Sequence, residues 1–383
     1  DGCGGWGDAA TIVPWEMYET YGDIRILKKC YDMMKKWVEY QNSTDRRNYG
    51  VRTVDGKEVP EQSDLATIPY IQVQQCRGDH LTYDNSTPYI YSATAYAAHS
   101  ADILSRTAHI LGKTDDEKRY TELFENIKRA FNDAWVNDDG SVSYYGEVSS
   151  QTAHCGESVA LDGGVTRYTY YAENTPHCPS QTAYALAVDF DLIPKDKLKN
   201  TREYFKNSIL RNNGKLTVGF LGISHLAPAL SKVGLDDVAF KLLEQEDNPS
   251  WLYSVKNGAT TIWERWNSYI AETGTFGDVS MNSFNHYSYG AIGQWFFTDI
   301  LGIRPVEFGY KSFMLSPKFG GGLTYAKGSF TSPYGKISSA WKLHDGKFTY
   351  DCTVPTNTTA TLKLPNGDIH TLVGGSYHFE INV

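Results

Sequence analysis

Apolar residues recur at spacings of three and four through residues 1 to about 302. From Asp23 to Gln41, the side chains of Ile24, Leu27, Tyr31, Met34 and Val38 fall on one face, which predicts an amphipathic helix. Ser92 to Leu111 repeats the pattern with Ala93, Tyr96, Ala97, Ile103 and Leu104, and Gly112 marks its end. Asp115 to Ala134 follows with Tyr120, Leu123, Phe124, Ile127 and Phe131. Further helical runs cover about 180–191, 196–210, 220–232, 234–245 and 283–301. Tight links such as Leu111-Gly112-Lys113-Thr114 alternate with long ones at 42–90 and 136–179. Short connections on one side and long ones on the other suit helical hairpins set in a ring, with the long loops gathered at the functional end.

The period changes after Gly302. Short alternating runs at 330–332, 336–343, 347–354, 359–364 and 378–383 are separated by turn signals such as His344-Asp345-Gly346 and Pro365-Asn366-Gly367. They predict a small antiparallel β-sandwich. The expected division is a helical domain over 1–303 and the sandwich over 304–383.

Composition narrows the function. The 36 Lys and Arg against 45 Asp and Glu give a net charge of −9, and no basic cluster favours a nucleic-acid partner. No stretch approaches the roughly 20 apolar residues of a membrane span. Aromatic residues make up 14% of the chain, which leaves open whether they are core or stacking platforms for sugar rings. The six cysteines form no CxxC pair, so a structural zinc site is not indicated. Cys155 and Cys178 flank one loop-like stretch and are either a bridge or two buried thiols. Asn42, Asn85 and Asn357 each begin a glycosylation-type triplet, a pattern chance also produces. The start at Asp1, with no Met or apolar leader, reads as a cut inside a longer protein.

Four stretches could carry chemistry. In Asn257 to Asn267, Glu264 lies between Trp263 and Trp266 with Arg265 beside it. Aromatic walls raise a carboxylate's pKa and an arginine lowers it, a tuning that suits a general base. The alternative is a buried Glu264–Arg265 ion pair in a helix cap, although adjacent helical residues rarely face each other. In Gly4-Gly5-Trp6-Gly7-Asp8 the glycines either expose Trp6 beside Asp8 or tuck it into the core. His286, in Ser283 to Gly290, is by default a satisfied core histidine. Gly78-Asp79-His80-Leu81 lies in the long loop before the Ser92 helix. No Gly-x-Ser-x-Gly elbow, His-Glu-x-x-His helix, dinucleotide glycine motif or calcium loop is present; Asn137-Asp138-Asp139-Gly140 reads as a turn. Carboxylates, Trp and His remain, which is the chemistry of glycoside cleavage.

These segments, with Gln181 to Leu186, Thr217 to Gly222 and Gly302-Ile303-Arg304-Pro305, occur in the order found in the inverting bacterial α-L-rhamnosidases, and the chain resembles that glycoside hydrolase family along nearly its whole length. The resemblance implies a mainly α fold, an (α/α)6 barrel followed by the β-sandwich, with some helices and further β domains expected before Asp1. It implies release of terminal α-L-rhamnose with inversion, from a rhamnose-containing oligosaccharide or glycoside, with no metal or cofactor. Glu264 matches the general base. Trp6, Asp8 and His286 match sugar-holding positions, Asp79 and His80 lie in a further matching segment, and Trp263 is a neighbour by adjacency. His80 stands where many members carry Trp. The family's acid motif departs here: counting back from Asp8 puts Asp1 in the acid's place, counting from Trp6 puts Gly2 there, and an upstream or loop carboxylate is the alternative. The implied substrates favour a periplasmic or extracellular setting over the cytoplasm. Two other readings stay open, a helical-barrel glycosidase or lyase of other sugar specificity and a catalytically inactive sugar-binding protein.

Overall fold

The structure, a computed structural model, describes residues 2–43, 51–54, 57–60, 69–72, 78–83, 87–143, 153–159, 165–170 and 179–383. It divides into two compact units, one of residues 1–12 and 31–290 and one of residues 13–30 and 291–383, so the division runs through the first two helices.

In the first unit the helices alternate in character. The helices α1 (Ala9–Tyr21) and α2 (Ile24–Gln41) are followed by α3 (Tyr89–Ile110), α4 (Thr114–Trp135), α5 (Gln181–Asp189), α6 (Leu198–Leu210), α7 (Phe220–Lys232), α8 (Asp236–Leu243) and the short α9 (Trp251–Lys256). On α3, α5 and α7 most positions are buried, including small residues such as Ala93, Ala97, Ala183 and Ala229. On α4 only Tyr120, Ile127, Ala130, Phe131 and Trp135 are buried, and on α6 only Thr201, Phe205, Ser208 and Ile209. A helix apolar all round is enclosed by others, whereas one with a single stripe covers a core from outside. The pairs α3–α4, α5–α6 and α7–α8 are therefore inner and outer members of successive hairpins, the repeat of an α/α barrel. Tight reversals make them. Gly112 and Gly234 take φ +68 and +73, and the next residues, Lys113 and Leu235, donate back to Ala108 and Leu230. The inner helices share an orientation: Thr87 Oγ1, before α3, meets Ser180 Oγ, before α5, at 2.6 Å. The long links hold short hairpins, β1–β2 (Val51–Val54, Lys57–Pro60) and β3–β4 (Ala153–Val159, Val165–Tyr170), and β5–β6 (Tyr269–Ile270, Thr275–Phe276) lies further on. The expected turn at Asn137 to Gly140 forms, with Gly140 donating to the Asn137 carbonyl at 3.0 Å.

Three helical boundaries differ from the pattern. Helix α1 was not legible because apolar residues point both ways: Trp15 is buried while Val13, Met17 and Tyr21 are exposed, and Pro14 lies inside. Helix α9 is too short to show a period. The run expected over 283–301 begins only at Ser288, as a 3₁₀ turn, because backbone hydrogen bonds tie Ser283 and His286 to Glu264 and Ile262 instead.

The second unit carries eight strands, β7 (Ile303–Pro305), β8 (Ser312–Leu315), β9 (Tyr325–Ser332), β10 (Gly335–His344), β11 (Lys347–Val354), β12 (Thr359–Lys363), β13 (Ile369–Leu372) and β14 (Gly375–Asn382). One sheet has the order β14-β11-β10-β9 and the other β13-β12-β8-β7. All pairs are antiparallel except β12–β8, which is parallel. That departs from the purely antiparallel expectation because the chain leaves its sheet after β8, builds β9–β11 in the other, and returns beside β8 in the same direction. Alternation sets the core: Ile337, Ser339 and Trp341 of β10 and Phe348, Tyr350 and Cys352 of β11 point inward. Trp341 and Phe348 stack at 5.9 Å, and Trp341 Nε1 donates to the Ile300 carbonyl at 2.9 Å.

Cys30 and Cys352 are free thiols, and the Cys155 and Cys178 side chains lie outside what is described. Among the described residues no helix is long and apolar enough to cross a membrane.

Candidate active site

Two buried carboxylates tie elements of the first unit together, Asp79 at the N-terminal ends of α5 and α7 and Asp8 between the opening segment, α2 and the middle of α3. Asp79 is fully buried. Its oxygens accept backbone N–H groups of Gly219 (2.8 Å), Leu221 (2.8 Å) and Gly222 (3.0 Å), and the Thr182 hydroxyl. These are the unpaired donors of the first turn of α7, so Asp79 acts as that helix's cap from another loop. Thr82 Oγ1 donates to the Thr217 carbonyl and Phe220 N to the His80 carbonyl, at 2.6 and 2.9 Å. Gly219 makes this approach possible, since a Cβ there would meet the His80 and Asp79 carbonyl oxygens at 2.2 and 2.6 Å.

Asp8 is fully buried as well. It accepts from Gly5 N (2.7 Å), Ser100 Oγ (2.5 Å), Trp37 Nε1 (3.0 Å) and Gln41 Nε2 (3.0 Å). Burial pushes both carboxyls above the ordinary Asp value, and their donors pull back down. The opening glycines serve packing: a Cβ on Gly4 would meet Ala93 Cα at 2.9 Å, and one on Gly7 would meet the Trp37 ring at 2.1 Å.

The expected sugar contacts from Asp8 and Asp79 are thus corrected. Each carboxylate is enclosed and its oxygens are engaged by the protein's own donors, so neither faces open space. What they position is a band of rings. Trp6 lies edge-on to His80 at 6.4 Å, His80 to Phe220 at 5.3 Å, and His286 stacks on Phe220 at 5.0 Å. Each of the four is partly exposed. Phe220 was not singled out from the sequence, and the signal for it is its place immediately after Gly219 at the head of an inner helix.

Glu264 is half-buried in a segment tied by backbone hydrogen bonds to 283–286. Its N–H donates to the Ser283 carbonyl (2.8 Å), Ser283 N donates to its Oε2 (2.7 Å), and His286 N donates to the Ile262 carbonyl (2.8 Å). The pairing holds Glu264 and His286 on adjacent strands of chain. Beneath Phe220, Tyr289 is fully buried, and burial first, then the charge of Asp79 and to a lesser degree that of Glu264, raise its phenol well above the usual value. It is a protonated donor, given to the Leu81 carbonyl at 3.2 Å.

The alternative of a Glu264–Arg265 ion pair is not formed. Arg265 turns away to Asp278 (3.2 Å) and the Met281 carbonyl (2.7 Å). Trp263 is buried, edge-on to Phe284 at 5.3 Å, and Trp266 is buried and stacked on Tyr289 at 3.8 Å. These two indoles brace the segment, and Trp263 also lines a cavity beside it. Asp1 lies outside the described residues.

An α/α barrel whose inner-helix heads gather one anchored glutamate and a band of exposed rings is the architecture of the six-hairpin glycosidases. The comparison with protein families is specific on this point. The bacterial alpha-L-rhamnosidase 6 hairpin glycosidase domain matches residues 1–300, and the bacterial alpha-L-rhamnosidase C-terminal domain matches residues 302–379. The chain belongs to the bacterial alpha-L-rhamnosidase family. It is 34% identical over 96% of its length to an alpha-L-rhamnosidase of Formosa agariphila, and 35% identical over 95% to one of Streptomyces avermitilis. It spans 34% and 30% of those relatives, about a third of each. The crystal structure of a Streptomyces avermitilis alpha-L-rhamnosidase complexed with L-rhamnose superposes with a TM-score of 0.80 at 32% identity, covering 100% of this chain and 33% of that one.

Proposed function

We propose that this chain carries the catalytic barrel and sandwich of an inverting exo-α-L-rhamnosidase, with Glu264 as general base. The observation that carries the reading is the Glu264 carboxylate, half-buried and held by the Ser283 N–H at 2.7 Å, on the segment paired with the one bearing His286. A single strong donor keeps the carboxylate aimed while leaving acceptor capacity for a water. In this reading the water sits between Glu264 and the anomeric carbon, on the ring face opposite the departing aglycone. Trp6, His80, Phe220 and His286 present ring faces and imidazole nitrogens to the sugar, the combination that packs on C–H surfaces and orients hydroxyls. Asp1 is the acid candidate, to protonate the leaving oxygen at a separation of roughly 6.5–9.5 Å from Glu264. The chain's partner is then a rhamnose-containing oligosaccharide or glycoside, met in the periplasm or outside the cell.

Aryl glycosides read by proton NMR test this. The expected result is cleavage of the α-L-rhamnoside alone, with β-L-rhamnose as the first product. Initial release of the α-anomer would remove the inverting mechanism. Cleavage of another glycoside in preference would remove the substrate, and tight rhamnose binding without turnover would leave a sugar-binding protein.

A further inference from the structure

The band of rings does not end at His286. Tyr287 stacks on that imidazole with centroids 5.2 Å apart and planes at 13°, and Phe220 stacks on it at 5.0 Å and 27°. Among the described residues Phe220 and Tyr287 make no ring contact with each other, so they flank the imidazole from its two sides. Phe220 is itself held by the His80 and Tyr289 rings, at 5.3 and 5.6 Å. Tyr287 is 86% exposed, and its hydroxyl has no hydrogen-bond partner among the described residues. Its ring therefore adds little to the core. What it covers is one face of His286.

A third contact fixes the rotation of the ring. Ser288 opens the 3₁₀ turn, and its N–H lies ahead of the turn's first backbone bond, from Gly290 to the Tyr287 carbonyl at 2.9 Å. Nδ1 of His286 accepts that N–H at 3.3 Å. A ring nitrogen that accepts carries no proton, so in the neutral imidazole the proton is on Nε2, a tautomer assigned from this bond. With its faces flanked and Nδ1 engaged, the ring has its Nε2 edge left. Nε2 has no partner among the described residues, and His286 is partly exposed. The neutral ring thus keeps one aimed donor, and an uncharged oxygen such as a sugar hydroxyl is its match.

We propose that Tyr287 is a positioning residue that acts through His286: its ring completes a clamp, with Phe220 and the Ser288 N–H, that presents Nε2–H edge-first to an oxygen of the bound sugar. This rests on the rhamnosidase reading, in which His286 touches the rhamnose. A free imidazole turns about two side-chain torsions and must be ordered when the sugar binds, whereas a clamped one is ordered beforehand. Phe220 and Ser288 belong to packed elements, so Tyr287 is the part of the clamp that can be removed without disturbing the core.

A double-mutant cycle on kcat/KM for an aryl α-L-rhamnoside tests the coupling. Tyr287→Ala should lower kcat/KM by at least about threefold, the worth of one aromatic pair. In the His286→Ala background the same substitution should cost less than about twofold. Tyr287→Phe, which keeps the ring, should restore the loss. A smaller loss from Tyr287→Ala overturns the proposal. A larger one in the His286→Ala background overturns it too, because Tyr287 then acts without His286, and failure of Tyr287→Phe to restore activity moves the role to the hydroxyl. The clamp is also read without turnover, by proton NMR of the His286 ring, whose signals are identified by their loss in His286→Ala. Tyr287→Ala should move them downfield as the ring current of the stacked phenol disappears, and Tyr287→Phe should leave them in place. Signals unmoved by Tyr287→Ala overturn the clamp even where rhamnosides are cleaved. Absence of any rhamnoside cleavage removes the glycosidase reading, and the NMR shifts still decide the clamp.

Discussion

Three carboxylates of the first unit illustrate how burial decides a role. Asp8 and Asp79 are each sealed among donors, while Glu264 keeps partial exposure and one strong donor. Replacing Asp79 by Asn puts an amide where three backbone N–H groups and a hydroxyl need an acceptor. Asp79→Asn should lose about 1–3 kcal/mol of stability in denaturant unfolding, from donors left unpaired. His286→Ala should do the converse, lowering kcat/KM for an aryl α-L-rhamnoside at least tenfold while the melting temperature stays within a few degrees. A motif names residues that matter without saying whether they touch a ligand or hold the residue that does. That is why the sequence could name Trp6, Asp8, Asp79, His80, Trp263, Glu264 and His286 together as candidates without separating the sealed carboxylates from the partly exposed rings.

At the scale of elements, the amphipathic helices and alternating strands were readable because one face of each meets solvent. The enclosed helices gave weaker signals, and α1, with Val13, Met17 and Tyr21 exposed opposite Trp15, gave none. The order in which inner helices meet was invisible, since it rests on close approaches such as Gly219 under the 78–82 loop. Gly219→Ala should therefore cost both stability and activity, because backbone rather than a flexible side chain must move. The inner helices also carry a pH response. His99 of α3 stacks on Phe190 at 4.1 Å, and burial, reinforced by the charge of His225, pushes it down to about 3. Asp189 opposes that shift, and Arg106 and Lys232 add to it. Unfolded histidine takes up a proton near pH 6.5 and folded His99 does not until about 3, so its contribution is present above 6.5 and is lost as pH falls through that window. Urea unfolding of His99→Phe, which keeps the stacked ring, should show a smaller loss between pH 7 and pH 4 than the unsubstituted protein.

At the scale of the whole molecule, the change from helical to alternating period after Gly302 was plain in the sequence, whereas the membership of residues 13–30 and 291–302 in the second unit was not. The second unit depends on its own core. Trp341→Ala should lower its unfolding free energy by about 3–5 kcal/mol, because a fully buried indole leaves both a void and an unpaired Ile300 carbonyl. The parallel β12–β8 pair was not legible, since pairing direction depends on the route of the intervening chain. The chain spans about a third of the length of its curated relatives, so the activity proposed for it is best measured on the longest form of the protein available. The central claim is that Glu264 activates the water. The most direct measurement is kcat/KM for an aryl α-L-rhamnoside with Glu264→Gln, which keeps the shape and can still accept from Ser283 N. The account predicts a loss of about 10²–10⁴-fold with unchanged circular dichroism and melting temperature; activity within tenfold of the unsubstituted protein would contradict it.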